Sequence, residues 1–303
     1  MSSNSKSKKS QQLESILAHD GLTSGDQFKL KSLSWRTFKS RHAGPSFDRF
    51  PKFLMPLLLA VRNLKYYNFP RIMEWSLSED ESASNNIASF LDREEFVDAY
   101  RQLRCASGSV VDPGLHWRLH QICWAMANCL DLGGVFVECG TGRGLMMSGG
   151  LRSISDWNTR GIQMYLFDTF EPFGINPASG RNDQSMGVRA TYATSLDDVK
   201  ETFGEWGNVR FVQGHLPETL DAVESQPIAF LHIDLNHAVA EMATLRRLWP
   251  MLLPNAIVVL DDYGQVKTQN DAMNSLAQEF GVRILTTQSG QGILMKPPLR
   301  NRS

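Results

Sequence analysis

After Pro113 the chain alternates short apolar runs with helical segments: VFVECG, QMYLFDTF, VRFVQG, IAFLHID, AIVVLDDYG, VRILTT and GILMK. Seven candidate strands with intervening helices predict a doubly wound α/β sheet. Such sheets bind ligands beyond the carboxyl ends of their strands, so the polar residues that close these runs are the candidate functional ones. The stretch LHWRLHQICWAMANCLDL precedes the first run. It places Leu119, Ile122, Cys123, Met126 and Leu130 on one helical face, and Gly133 with Gly134 stops the helix.

The first 110 residues read differently. Residues 1–28, beginning MSSNSKSKKSQQ, are rich in Ser, Lys and Gln and are expected to form a mobile tail without the apolar segment of a secretory signal. Residues 29–110 form a helical pattern, with SFDRFPKFLMPLLLAVRNL and REEFVDAYRQLR on either side of the polar run SLSEDESASNN. This region is expected to act as a lid or an oligomer contact for a domain over 111–299. The apolar window FLMPLLLAV is about half the roughly 20 residues that a membrane helix needs, and it contains Pro56. The 31 basic and 32 acidic residues of the whole chain leave a formal charge of −1, which gives no bias toward nucleic acid or an acidic membrane. Cys105, Cys123, Cys129 and Cys139 lack C-x-x-C spacing, which fits a reducing compartment, the cytoplasm.

At the first strand end, VFVECGTGRG, glycines 140, 142 and 144 let the backbone turn sharply and approach a ligand closely. Leu145 stands where the dinucleotide fingerprint G-x-G-x-x-G requires its third glycine, and Glu138 lies inside the strand end. A buried carboxylate there repels a pyrophosphate and attracts an ammonium or a sulfonium. The bland alternative is a tight turn with a satisfied Glu. Asp168, followed by Thr169, closes the second run and can accept both hydroxyls of a ribose. Gln213, Gly214 and His215 close the third, in reach of an adenine edge. Together these ends outline a nucleoside pocket.

Asp234 ends FLHID, and Asp261 with Asp262 ends AIVVLDDYG. Three carboxylates on one rim repel each other unless a positive charge sits between them. Oxygen-only ligands suit a hard cation such as Mg2+. For Asp262 a helix-capping role is the competing reading.

The blocks E-x-G-x-G-x-G, LFDTFEPFG, QGHLPETL, LHIDLNH, VVLDDYG and SGQGILMKP, in that order, resemble the macrocin O-methyltransferase family from about Val111 to Pro297. The resemblance implies an S-adenosylmethionine- and magnesium-dependent enzyme that methylates sugar hydroxyls of natural products. It implies the class I methyltransferase fold, a Rossmann-like sheet of seven strands with the last antiparallel. It puts the cofactor at Glu138, Gly140, Gly142, Gly144 and Asp168, and the metal at Asp234, Asp261 and Asp262. The family writes D-x-D at the fourth strand end, its second aspartate serving as base, whereas this chain has Asn236, which takes no proton at ordinary pH. His237 is the neighbouring candidate base, with water or His215 as alternatives. Trp117, Phe170, Phe173 and Tyr263 are candidates for the substrate mouth or for the core. Two rival readings are a nicotinamide-dependent oxidoreductase, which has no use for the rim carboxylates, and a noncatalytic cofactor-binding homologue, which Asn236 would suit.

Overall fold

The computed structural model describes residues 77–79, 82–84, 87–109, 112–171 and 195–298. The chain divides into two compact units, 1–87 and 88–303. In the first, strands β1 (Leu77–Glu79) and β2 (Ser82–Ser84) pair antiparallel, Leu77 opposite Ser84. The expected tail over 1–28 and the expected helix around Phe53–Val61 lie outside the described residues.

The second unit begins at Ala88, so the helix expected from REEFVDAYRQLR, α1 (Glu94–Ser107), belongs with the sheet rather than with the residues before it. Its apolar face buries Phe96, Ala99, Tyr100 and Leu103. The boundary between the two units falls at the end of the polar run SLSEDESASNN.

Helix α2 (His116–Cys129) leads into β3 (Val135–Cys139), α3 (Leu145–Arg152), β4 (Met164–Asp168), α4 (Leu196–Thr202), β5 (Val209–Gln213) and β6 (Ile228–Ile233). Then come α5 (Ala238–Leu248), β7 (Leu252–Leu260), α6 (Lys267–Phe280), β8 (Leu285–Thr286) and β9 (Gly292–Met295). The strands form one seven-stranded sheet in the order β5-β4-β3-β6-β7-β9-β8. Neighbours from β5 to β7 are parallel, and β9, the last strand of the chain, runs antiparallel to both β7 and β8. This is the class I methyltransferase sheet. The run VRILTT yields only Leu285–Thr286, because β8 is the outer edge and both residues are exposed. Strand order reverses between β3 and β6, which opens a crevice at their carboxyl ends.

Every residue of β3 and β6 is buried, so these central strands read as continuous apolar runs interrupted only by Glu138 and His232. Side chains alternate between the faces. Val137, Cys139, Leu231, Ile233, Val258 and Leu260 pack with Leu245 and Leu248 of α5 and Met273 and Leu276 of α6. On the other face Phe136 packs with Trp157 and Phe230 at ring centroid distances of 5.3 and 5.4 Å. Helix α2 presents Leu119, Ile122 and Met126 as expected, all fully buried. Its Cys123 and Leu130 are only partly buried. Two glycines in α3 bring the helices together. A Cβ on Gly150 would lie 2.4 Å from Met126 Sδ, and one on Gly149 would lie 2.8 Å from Leu119 Cδ1 and 3.1 Å from the Ala99 carbonyl.

Candidate active site

The glycine turn after β3 is built around close backbone approach. Gly140 has φ +93°, its N–H donates to the Phe167 carbonyl (2.8 Å), and a Cβ there would lie 1.9 Å from the Asp234 carbonyl oxygen. Asp234 N–H donates to the Cys139 carbonyl at 2.8 Å, so the loops after β3 and β6 touch. Gly142 has φ +53° and faces open space, with no atom within 4 Å of where its Cβ would be. Its N–H donates to Asp168 Oδ2 (2.8 Å), while Phe170 N–H donates to Oδ1 (2.9 Å). The carboxylate at the end of β4 is thereby fixed against the glycine turn, with lone pairs left for further donors. Thr169 Oγ1 lies 3.4 Å from Asp168 Oδ1. Gly144 caps α3, packed so tightly that a Cβ would lie 2.4 Å from the Phe203 ring.

The end of β5 joins the same rim. Gly214 N–H donates to the Asp168 carbonyl (2.9 Å) and Gln213 Nε2 to the Thr169 carbonyl (3.0 Å). The His215 side chain is exposed, and its carbonyl accepts from Thr219.

Glu138 and His232 stand opposite each other on β3 and β6. Glu138 is 2% exposed; its Oε1 lies 3.0 Å from His232 Nδ1, and its Oε2 has no hydrogen-bond partner among the described residues. Burial pushes the Glu138 carboxyl up from its ordinary range, against the hydrogen bond from His232. For His232 burial acts to lower the pKa, but the carboxylates of Asp261 and Glu138 on either side prevail and hold it up at about 10. The buried ring thus lies between two carboxylates, bonded to Glu138 and 3.6 Å from Asp261.

Strand register explains how the rim acids meet. Ile233 pairs with Leu260, which sets the next residues, Asp234 and Asp261, side by side. One carboxylate oxygen from each of Asp234, Asp261 and Asp262 lies within 4.8 Å of the others. Asp261 is the most constrained: Oδ2 pairs with the buried Arg118 of α2, and Oδ1 accepts from Gln291 Nε2 (2.7 Å) and lies 3.6 Å from His232 Nε2. Burial would raise its pKa, but Arg118, His232 and Gln291 hold it well below the usual carboxylate range. Asp234 goes the other way, pushed well above its ordinary value by burial and by Asp261 and Asp262. Asp262 is also raised, by burial and by Asp261. Arg118 and His232 relieve this repulsion only in part, and an all-oxygen donor set that keeps two raised carboxyls fits a hard divalent cation.

The Asn-His pair has local jobs. Asn236 adopts φ +54°, a conformation Asn tolerates, and its Nδ2 donates to Asp234 Oδ1 at 3.1 Å. His237 is the N-cap of α5, where its Nδ1 accepts the Ala240 N–H at 3.3 Å. While that bond holds, a neutral ring carries its proton on Nε2 and offers a donor rather than a basic nitrogen. The aromatic candidates pack inward. Phe170 and Tyr263 are buried, Tyr263 Oη donates to Asn274, and Trp117 packs on Phe90 at 4.7 Å. Phe173 lies outside the described residues.

Arg118, His232 and Gln291 escaped the sequence reading. His232 carried a signal: it lies two residues before Asp234, hence on the same strand face, just as Glu138 lies two before Gly140.

The family model for macrocin O-methyltransferase (TylF) matches residues 116–285, over half of the chain, from the start of α2 to β8. The chain belongs to the macrocin O-methyltransferase family. A curated relative, the 8-demethyl-8-(2,3-dimethoxy-alpha-L-rhamnosyl)-tetracenomycin-C 4'-O-methyltransferase of Streptomyces olivaceus, is 26% identical over 160 residues, which cover 49% of this chain and 60% of that protein. Among solved structures, the O-methyltransferase NovP superposes with a TM-score of 0.50 at 22% identity, covering 59% of this chain and 79% of NovP, and shares the fold. Every rim residue from Glu138 to Asp262 lies within the macrocin O-methyltransferase match, and Gln291 lies beyond it. Among the described residues no helix is long and apolar enough to cross a membrane.

Proposed function

We propose that this macrocin O-methyltransferase family member moves a methyl group from S-adenosylmethionine to a hydroxyl of a sugar or glycosylated small molecule, with Mg2+ or another divalent cation at the rim acids. The observation that carries the reading is the convergence of Asp234, Asp261 and Asp262 within 4.8 Å, with the Asp234 loop touching the glycine turn. Glu138 and the open face of Gly142 are assigned to the donor, since the buried, unpartnered Glu138 Oε2 suits a cationic ligand. Asp168, held by the Gly142 and Phe170 N–H groups, would accept ribose hydroxyls, with Thr169, Gln213, Gly214 and His215 beside it.

A divalent cation supplies Lewis acidity that lowers the pKa of an acceptor hydroxyl. The remaining work of the chain is positioning, because an in-line methyl transfer gains most from holding its reactants about 3 Å apart and aligned. Among the described residues, Asp234 and Asp262 have no cationic partner at hydrogen-bond distance and would carry most of the ion's charge, with Asp261, fixed by Arg118, as the third ligand. His237, the base candidate of the sequence, is held as the cap of α5, so removal of the acceptor's proton is assigned to water. The S. olivaceus relative, a rhamnosyl 4'-O-methyltransferase, supports a deoxysugar-bearing acceptor. The four free cysteines support action in a reducing compartment, the cytoplasm.

Asn236 favours a second reading, a protein that binds the cofactor without turnover. The two separate in one experiment. Purified protein is given S-adenosylmethionine and Mg2+ with a panel of glycosides, and products are read for a mass gain of one methylene. The enzyme reading predicts a product that disappears with chelator and returns with Mg2+. Cofactor binding without any product across sugar-bearing extracts supports the noncatalytic reading instead.

A further inference from the structure

The rim acids sit on two different loops, and repulsion between them would drive those loops apart in the absence of a cation. Beyond the β6–β7 pairing and the contacts of Arg118 and Gln291 with Asp261, a pair of buried side chains outside the acid cluster links them. Gln269, in the first turn of α6 and 2% exposed, donates from Nε2 to Glu241 Oε1 at 2.8 Å and to Asp262 Oδ2 at 3.3 Å. Both amide hydrogens are used on carboxylates, which fixes the orientation: a flipped amide would set its oxygen against two anionic oxygens. Glu241, 4% exposed in the first turn of α5, also faces the backbone of Leu235 and His237, the residues on either side of Asn236, which act to lower its pKa, and its own N–H donates to the His237 carbonyl at 3.0 Å.

We propose that Gln269 and Glu241 are positioning residues for the metal site: the Gln269 amide aims Asp262 and ties the loop after β7 to Glu241, which holds the loop carrying Asp234 through Asn236. The inference rests on the metal reading given above. Neither residue lies among the rim acids, and neither offers the ion a ligand. Their part is to keep two mutually repelling carboxylates at ligand spacing before the cation arrives, as outer-shell partners do in metal sites generally. Glu241 suits this task because an anion buried beside Asp262 is tolerated only where N–H donors surround it. Here Gln269 and two backbone groups do so.

Mn2+ binding to the full chain, followed by the electron paramagnetic resonance of the free ion, tests the proposal, with S-adenosylhomocysteine affinity measured in parallel. Q269A is expected to weaken Mn2+ binding by about 10-fold or more while leaving S-adenosylhomocysteine affinity at the wild-type value. E241Q, a near-isosteric change whose single amide oxygen cannot face both the Gln269 amide and the backbone of Leu235 and His237, should weaken Mn2+ in the same direction and serves where Q269A fails to fold. Wild-type Mn2+ affinity in both variants overturns the inference, as does an equal loss of both ligands, which would mark a merely structural role. A wild-type protein that itself fails to bind Mn2+ contradicts the metal reading and removes this inference with it.

Discussion

With its Nδ1 accepting the Ala240 N–H, His237 does a helix cap's work. Replacing it with Ala should therefore cost about 1 kcal/mol of stability, the usual value of a lost N-cap. Methyl transfer should fall less than about tenfold, whereas loss of a general base costs about 100-fold or more. Thermal unfolding and a single-turnover assay check both numbers. Gly140 is expected to behave oppositely: G140A forces a Cβ to within 1.9 Å of the Asp234 carbonyl, so the glycine turn and the rim loop must separate. S-adenosylhomocysteine binding, measured calorimetrically, should be lost or strongly weakened in that variant. Glu241 gives a pH signature. Burial pushes its carboxyl up to about 7 from an ordinary value of 4.5, against Gln269, with Asp262 the charged group facing it. A raised folded-state pKa contributes stability that is full below the unfolded value and disappears as pH rises through the folded one. Wild type should thus lose up to about 3 kcal/mol relative to E241Q between pH 4.5 and 7, read as diverging unfolding midpoints across that range. The acids themselves were legible in the sequence because a carboxylate at the end of an apolar strand is chemically conspicuous. Arg118 and Gln291 were not, since only the packing of α2 and the pairing of β9 with β7 bring them to Asp261.

At the scale of elements, the alternating pattern gave β3, β4, β5, β6, β7 and β9 at their observed places, because buried strands bounded by turns leave a direct trace in sequence. Less legible was the division of the chain. A helical period says nothing about what a helix packs against, and α1 packs on α3 through Gly149, a contact that shows only once both helices are placed. Gly150 lies under α2 in the same way. G150V would drive its side chain into Met126 Sδ, 2.4 Å from the Cβ position, and into Ile122, with an overpacking cost of about 1–3 kcal/mol visible in the unfolding midpoint. Thiol chemistry maps the same elements. Cys105 on α1 is exposed, whereas Cys129 of α2 and Cys139 of β3 are buried. Burial also pushes Cys123 up to about 12 and Cys129 up to about 11. Iodoacetamide at neutral pH should therefore modify Cys105 alone in the native protein and all four cysteines after unfolding, as counted by intact mass.

Across the whole sheet-bearing unit, function follows from where the strand order reverses. Strands β4 and β5 build outward from one side of β3, and β6 and β7 from the other, so the carboxyl ends of β3 and β6 border one crevice. The donor residues approach it from β3, β4 and β5; the rim acids approach from β6 and β7. Glu138, His232 and Asp261 form a buried line that joins the two halves. The identity of the acceptor was not legible, because strand ends encode the donor and metal chemistry, while acceptor pockets are made by loops whose shape no local pattern fixes. The most direct measurement is the stoichiometry of Mn2+ binding in the presence of S-adenosylhomocysteine, for wild type and for D234N and D262N. One ion per chain in wild type, with affinity lost in both variants while S-adenosylhomocysteine still binds, is the predicted result. No bound ion in wild type, or equal binding in all three proteins, would contradict a metal centre at these acids.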